Sequence, residues 1–253
     1  MIAQVPLLVL FAAVAVSALV LTNRLRPKAA RGSEEEHDDG IALDIINTFF
    51  AAVVALVVVI GWQNYDNARA HTVDESKALT EVYSAADQLP DGQRDQLQGL
   101  VREYTARVVD DDWPAMAEKR RLSDATQQTF DELRTAAFAL PDIADDDARA
   151  NVLTGVDGVE KARYDRALDA DLSMPGFLYA ALWLGTALLL LGMVLVGSGK
   201  PVTRRRMFVT AVLGVVVGWV ILAIYNLDRP FAGGSVVPAD AFELALTQFQ
   251  HRG

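Results

Sequence analysis

Apolar residues collect in four long uncharged runs along this chain, with polar segments between them. The runs cover residues 1–23, 45–65, 175–199 and 207–226. A helix that crosses a hydrocarbon core of about 30 Å needs roughly 20 consecutive apolar residues, and each run is that long. The pattern therefore predicts an all-α membrane protein with four transmembrane helices, the second of which begins at Asp44.

The first run, 1–23, has two interpretations, an uncleaved transmembrane anchor and a secretory signal peptide. Its opening sequence "MIAQVPLLVL" has no basic residue, and the apolar stretch is longer than the 7–15 residues usual for the core of a signal peptide. The nearby bases follow the run instead of preceding it: Arg24, Arg26, Lys28 and Arg31. This order favours an anchor whose N-terminus lies outside.

Basic residues near the spans predict the topology, because they concentrate in cytoplasmic loops. One cluster lies in the segment 24–43, and a second lies in the segment 200–206, which contains Lys200, Arg204, Arg205 and Arg206. Both segments are predicted to be cytoplasmic in a multi-pass protein of the plasma (inner) membrane. Both termini, the segment 66–174 and the C-terminal tail 227–253 are then extracytoplasmic.

The segment 66–174 shows apolar residues at helical spacing throughout, which predicts a helical bundle domain inserted between transmembrane helices two and three. The helix of span two is expected to continue into this domain and to break at "LPDG", residues 89–92. A turn is predicted at "VDDDWPAM", around Pro114. Ser123 is the expected N-cap of a later helix that carries Phe130, Leu133, Ala137 and Phe138.

The same segment is strongly acidic, with 24 acidic and 13 basic residues and a formal charge of −11. A surface of this sign argues against a nucleic-acid partner and makes cations candidate partners of the outer domain. The acidic runs Asp110–Asp112 and Asp145–Asp147 have no EF-hand spacing, so solvated loops are favoured over calcium sites. Asp74 and Glu75, near His71, are expected to be solvated as well.

No pattern of catalytic or cofactor-binding residues is found. The three histidines are scattered, and the chain has no cysteine, no nucleophile elbow, no P-loop and no dinucleotide fingerprint. We therefore expect a protein that is not an enzyme and that has neither a cofactor nor a metal centre.

Span two carries a narrow stripe that is polar at its cytoplasmic end and small or apolar beyond. Asp44 and Asn47 lie one turn apart on this face, and Ala51, Val54, Val58 and Gly61 continue it. Such a stripe is typical of a pore with a charged mouth and an apolar constriction. The alternative is that Asp44 merely caps the start of the helix, where an acid is favoured by the helix dipole.

Two further features concern packing. Gly214 and Gly218 form a G-x-x-x-G motif in span four, which predicts close helix contact either within one subunit or between subunits. After that span comes "LDRPFAGG", in which Pro230 ends the helix. Phe231 either belongs only to this stop or packs back between helices, while Asp228 pairs with Arg229 or with a base of the outer domain and so fixes the tail.

Several segments together resemble the bestrophin-like domain family of bacterial membrane proteins. They are "DIINTFF…GW", "VDESKALTEVY…LP", "REYTARVVDDDWPAM", "KARYDRAL" and "LDRPFAGG…VPADAFELAL", which run from about residue 44 to 246. The resemblance implies a homo-oligomeric ion channel whose central pore is lined by the second span of each subunit. The residues that it points to are Asp44, Asn47 and Phe50 in span two and Asp228, Pro230 and Phe231 after span four.

The resemblance and the charge pattern lead to different predictions for the topology and for the sign of the ion. Bestrophins keep their termini and large helical part in the cytoplasm, whereas the base count places those parts outside. An anion pore prefers a positive mouth, whereas the acidic domain would concentrate cations. A second hypothesis stays open beside the channel, namely a non-conducting accessory subunit of a larger membrane complex or an extracytoplasmic sensor.

Overall fold

The computed structural model describes residues 5–25, 36–141, 146–196, 203–232, 234 and 236–252, and throughout these ranges the regular structure is helical. Nine α-helices follow one another in this part of the chain: α1 Val5–Leu25, α2 Glu36–Ala85, α3 Asp91–Arg107, α4 Trp113–Lys119, α5 Asp124–Phe138, α6 Asp146–Asp171, α7 Gly176–Val196, α8 Arg204–Leu227 and α9 Asp240–Arg252. The expectation of an all-α protein is confirmed for the described residues.

The chain divides into two compact units. The first, here called the membrane unit, comprises Met1–Trp62 and Met174–Leu227, and the second, the polar unit, comprises Gln63–Ser173 and Asp228–Gly253. Three stretches are long and apolar enough to cross a membrane, and they lie in α2, in the α6–α7 region and in α8, while the apolar stretch Val5–Leu21 of α1 is shorter. The fourth predicted span, 1–23, therefore stays a prediction.

In the membrane unit, α1 packs on α8 at the G-x-x-x-G motif. A Cβ atom added at Gly214 would lie 3.0 Å from the Phe11 carbonyl oxygen and 3.0 Å from the Ala15 Cβ. A Cβ at Gly218 would lie 2.8 Å from the Phe11 ring. Only a glycine leaves room for so close an approach, so the motif makes its contact within one subunit.

The core of the polar unit is built from α2, α3, α5, α6 and α9. Its fully buried members include Leu79, Val82, Leu97, Val101, Tyr104, Leu133, Val152, Val159 and Phe242. Helix α6 approaches α2 closely, because a Cβ at Gly155 would lie 2.7 Å from Val82 Cγ2 and one at Gly158 would lie 3.3 Å from Ala78 Cβ. Phe138 lies outside this core with 59% exposure, because it is the last residue of α5, and its ring packs on Arg134.

Three local predictions are confirmed. Helix α2 is continuous over 50 residues, Glu36–Ala85, and so includes residues of both units. It ends just before "LPDG", and Pro90 occupies the N-cap position of α3. The Ser123 hydroxyl accepts a hydrogen bond from the Ala125 N–H and caps α5.

The predicted turn at Pro114 is wrong. A five-residue π-helical segment, Val108–Asp112, joins α3 directly to α4, and Pro114 lies in the first turn of α4. Proline is tolerated there because the first N–H groups of a helix have no intrahelical acceptor. The chain turns only at Arg120, which adopts a left-handed backbone conformation with φ of 57°.

Candidate functional site

In the membrane unit, the surface of α2 divides into three longitudinal faces. One face packs inside the subunit and contains the buried residues Val57 and Gly61, with Phe50 and Val54 partly buried beside them. Phe50 lies against Gly185 of α7, where no side chain larger than hydrogen fits, because an added Cβ would be 2.2 Å from its ring. The remaining two faces are exposed in the isolated chain.

The first exposed face is the small or polar stripe. It contains Asp44, Asn47, Ala51 and Val58, all exposed. The other predicted members, Val54 and Gly61, belong to the packed face instead. The stripe that the single chain leaves open is therefore narrower than the sequence pattern suggested.

The second exposed face is bulky and apolar. Its members are Ile45, Phe49, Leu56 and Val59, with exposures between 52% and 73%. Side chains of this kind suit lipid tails or a neighbouring transmembrane helix. One helix thus presents two different exposed faces, of which only the first carries polar groups.

The capping interpretation of Asp44 is wrong. Helix α2 begins at Glu36, eight residues earlier, so Asp44 lies within the helix. Its carbonyl oxygen already accepts a hydrogen bond from the Thr48 hydroxyl at 2.8 Å. The carboxylate is exposed on the small or polar stripe, and it has no capping role to explain its presence.

A cluster of four buried charged residues forms the centre of the polar unit. Glu75 on α2 accepts two hydrogen bonds from Arg166 on α6, at 2.7 and 3.0 Å, and both side chains are completely buried. The predicted solvation of Glu75 is therefore wrong, whereas its neighbour Asp74 is exposed as expected. Two opposite charges at this depth form a paired network rather than a solvated surface.

Asp112, at the end of the π-helical segment, is the second acid of this cluster. Its Oδ2 accepts hydrogen bonds from Arg166 at 2.8 Å and Arg163 at 3.2 Å, and its Oδ1 accepts from the Ser123 N–H at 2.8 Å. The solvated-loop interpretation of Asp110–Asp112 is thus wrong for the third residue. With two acids and two bases, the cluster has no net formal charge.

Aromatic side chains complete the surroundings of the two arginines. The Arg166 guanidinium lies beside the rings of Trp113 and Phe242, 5.7 Å from each centroid, and the two ring centroids are 5.6 Å apart. Tyr104 donates a hydrogen bond of 2.5 Å to Glu75 and accepts one of 3.1 Å from Arg163. These contacts join α2, α3, α4, α6 and α9, so the cluster fixes how five helices pack.

The pKa shifts in the cluster follow from this burial. Desolvation raises the pKa of the Tyr104 hydroxyl, and the nearby Glu75 charge raises it further, so Tyr104 stays a donor. Desolvation alone would lower the pKa of Arg166, but the Glu75 and Asp112 carboxylates outweigh it and raise that pKa. Arg166 is therefore held in its charged form, and Tyr104 is held in its neutral form.

A sequence signal for these residues existed and was missed. Glu75 precedes Leu79 and Val82 at helical spacing, and Arg163 and Arg166 continue the apolar stripe of Val159. Charged residues of opposite sign on two core-facing stripes indicate a buried pair.

A second polar contact between α2 and α6 lies nearer to the surface. The Nδ1 atom of His71 is 2.7 Å from Oδ2 of Asp169, and the Asp169 side chain is 11% exposed. Burial raises the pKa of the Asp169 carboxyl, and its hydrogen bond with His71 opposes part of that rise. Among the described residues, no group of three or more metal-ligating side chains comes together.

The segment after α8 returns to the polar unit. Phe231 is 3% exposed and packs edge-on against Trp113, with ring centroids 5.8 Å apart, so it contributes more than a helix stop. Two hydrogen bonds hold the segment beyond it: the Val237 N–H donates to the Pro230 carbonyl, and the Trp113 indole N–H donates to the Val237 carbonyl. Asp228 is buried, whereas Arg229 is exposed.

Comparison with protein families gives one match. The model of the bestrophin-like domain matches residues 9–242, which is most of the chain. Among curated proteins, none matches significantly.

Solved structures share the fold at low sequence identity. A mutant form of a membrane protein has a TM-score of 0.72 and 11% identity, with 98% of each chain covered. Two point mutants of a bacterial bestrophin homologue from Klebsiella pneumoniae have TM-scores of 0.68 and 0.67 and identities of 11% and 12%. They cover 98% of this chain, and 99% and 98% of the solved chains. The structural likeness extends over both units of this chain.

Proposed function

This chain belongs to the bestrophin-like domain family, and from that premise we propose that it is an oligomeric ion channel whose pore is lined by α2 of each subunit. The observation that supports the proposal best is the exposed small or polar stripe of α2. This stripe lies on a helix of the membrane unit that also carries Asp44, an exposed carboxylate without a capping role.

The two exposed faces of α2 have distinct tasks in this proposal. The small or polar stripe faces the pore, with Asp44 and Asn47 at the mouth and Ala51 and Val58 at an apolar constriction. The bulky face lies against lipid or the neighbouring subunit. Small side chains leave room for an ion path, and apolar constrictions gate channels by dewetting.

The proposed channel favours cations. A ring of Asp44 carboxylates at the mouth and the formal charge of −11 over residues 66–174 both raise the local cation concentration. We place the protein in the plasma membrane, with the polar unit and both termini extracytoplasmic, because the basic clusters lie in the two short loops.

The test is ion flux through purified protein in liposomes, over a range of voltage, pH and ionic composition. Asp44→Asn is expected to shift the reversal potential in a salt gradient toward that of a less cation-selective pore. Thr48→Val is the matched control, because Thr48 lies one turn further along α2 and its hydroxyl donates to a backbone carbonyl in its own helix.

Two results would contradict the proposal. One is the absence of flux under all of these conditions. The other is a stoichiometric foreign subunit that copurifies in mild detergent with a single copy of this chain, which would support the accessory-subunit hypothesis. Mass measurement in detergent separates that case from a homo-oligomer.

A further inference from the structure

Trp62 lies on the same face of α2 as Asp44. An α-helix turns by about 100° per residue, so the 18 residues from Asp44 to Trp62 make about five complete turns. The helix is continuous over this stretch, and the Trp62 side chain is 59% exposed. The small or polar stripe, which contains Ala51 and Val58, therefore ends in one large aromatic side chain.

The other two faces of α2 lie well to either side of Trp62. Val57 and Gly61, which pack inside the subunit, are about 140° and 100° away from it around the helix. Phe49 and Leu56, on the bulky apolar face, are about 140° and 120° away in the opposite sense. A tryptophan that anchors a span at the membrane interface faces lipid. Trp62 lies away from the face that suits lipid tails, so this common role does not account for its position.

The distance between Asp44 and Trp62 matches the thickness of a membrane. At a rise of 1.5 Å per residue, 18 residues of helix extend over about 27 Å. The hydrocarbon core of a bilayer is about 30 Å thick. In a pore lined by α2, Asp44 and Trp62 therefore lie at opposite mouths. The symmetry of a homo-oligomer repeats Trp62 around the pore axis, so the indole rings of all subunits surround one mouth.

Several indole rings around one mouth have a defined chemical preference. The face of an aromatic ring attracts cations, tryptophan is the strongest of the aromatic side chains in this respect, and groups of such rings bind quaternary ammonium ions. A quaternary ammonium ion has no N–H group to donate to a carboxylate, so the Asp44 mouth offers it charge alone. The Trp62 mouth offers it aromatic faces as well as apolar contact.

We propose that Trp62 of each subunit lines the pore mouth opposite Asp44 and that these rings together bind organic ammonium cations. The inference rests on the proposed function, a pore lined by α2, and adds to it a second residue that determines ion selectivity. An organic cation held at this mouth obstructs the path of smaller cations. Binding is therefore measured as block of the current.

The test is block by tetraethylammonium of the sodium current through the purified full chain in a planar lipid bilayer. We expect block at a lower concentration from one side of the bilayer than from the other, because only one mouth carries Trp62. Trp62→Leu should raise the half-blocking concentration on that side by about tenfold, whereas Trp62→Phe, which keeps an aromatic face, should raise it less. Phe49→Leu is the matched control, because it removes an exposed aromatic ring from the bulky face and should leave the block unchanged.

Fluorescence gives a second measurement that does not depend on current. In vesicles of brominated phospholipid, bromine quenches tryptophans that contact lipid tails. The emission of Trp62 is obtained as the difference between the parent chain and Trp62→Phe, and we expect this difference to be the same in brominated and ordinary lipid.

Three other outcomes overturn the inference, and they separate it from the proposed function. If Trp62 emission is quenched by brominated lipid, Trp62 faces lipid and does not line the pore. If current flows but Trp62→Leu blocks like the parent chain, the aromatic mouth is wrong and the channel stands. If no current flows under any condition, the channel is wrong and the inference fails with it.

Discussion

The guanidinium of Arg166 binds both carboxylate oxygens of Glu75, at 2.7 and 3.0 Å, and neither side chain is exposed to solvent. Taking two charges out of water is costly, and only good geometry with further hydrogen bonds repays it. Asp112, Tyr104 and Arg163 supply those bonds. The polar unit therefore depends on all members of this cluster being present together.

Removing one charge of the cluster should destabilise the protein strongly. We expect Glu75→Gln to lower the free energy of unfolding by about 3–5 kcal/mol, because two buried arginines are left with one carboxylate. Thermal unfolding followed by circular dichroism measures the effect. Asp74→Asn, at the exposed neighbouring position, should change stability by no more than about 0.5 kcal/mol. Equal effects of the two variants would show that the cluster is not the stabilising element.

Phe231 should hold the C-terminal segment in place. We expect Phe231→Ala to cost about 3–5 kcal/mol, because it empties a buried site next to Trp113. Hydrogen exchange of α9 should rise in this variant. Leu244→Ala, on the exposed side of α9, is the control and should leave exchange unchanged. If hydrogen exchange of α9 is unaltered in Phe231→Ala, this residue does not hold the C-terminal segment and only belongs to the helix stop.

Substitution by alanine should change the stability in opposite directions at two glycines. At Gly214 an added methyl group meets the Phe11 backbone carbonyl at 3.0 Å, so Gly214→Ala should lower the melting temperature. At Gly99 in α3 nothing lies within 4 Å of the added atom, so Gly99→Ala should stabilise by up to about 1 kcal/mol through helix propensity. If Gly99→Ala is destabilising and Gly214→Ala is neutral, then neither the open surroundings of Gly99 nor the close packing of Gly214 is supported.

Asp169 should contribute a measurable pH dependence. Its pKa is raised by burial, so the folded chain binds this proton more readily than the unfolded chain. The contribution of Asp169 to stability therefore falls as the pH rises from the pKa of an unfolded aspartate, about 3.9, to the higher pKa in the folded chain. Above that pH the contribution is constant. In a His71→Gln background, which removes imidazole titration, adding Asp169→Asn should abolish this fall. If the stability difference between His71→Gln alone and His71→Gln with Asp169→Asn does not depend on pH, the raised pKa of Asp169 is contradicted.

Topology can be tested with a single cysteine. Gln96→Cys places a thiol on the exposed side of α3 in the polar unit. We expect it to react with a membrane-impermeant thiol reagent in intact cells, because the base count places the polar unit outside. If the thiol reacts only after the cells are opened, the polar unit is cytoplasmic and the predicted topology is wrong. The cysteine-free parent chain gives the background signal.

Local features of this fold could be predicted from the sequence because their causes are local. The continuation of α2, its end before "LPDG" and the Ser123 cap each depend on a few neighbouring residues. The π-helical segment could not be predicted in this way, since "VDDDWPAM" contains the residues of a turn. Its conformation depends on the contact of Asp112 with Arg163 and Arg166, which lie more than fifty residues away.

Prediction of the candidate site from the sequence is limited in the same way, because part of the site depends on distant residues. The sequence pattern found the polar end of the α2 stripe but not its width, because width depends on which side of α2 meets α7. The close approach of Phe50 to Gly185 decides that, and nothing in either segment alone identifies the other. The buried charges were missed for a related reason: a single acid among many looks solvated until its partner helix is known.

The π-helical segment has a consequence for how this chain tolerates insertions and deletions. Asp110, Asp111 and Asp112 are chemically identical, and only the helical phase decides which of them reaches the two arginines. One extra residue before Asp112 turns the residues that follow it by about 100° and brings Asp111 to the position that Asp112 occupies, whereas one residue fewer brings Trp113 there. An insertion here can thus preserve the ion pairs while displacing Trp113, so the spacing between Tyr104 and Trp113 is constrained more tightly than the identity of the acids between them.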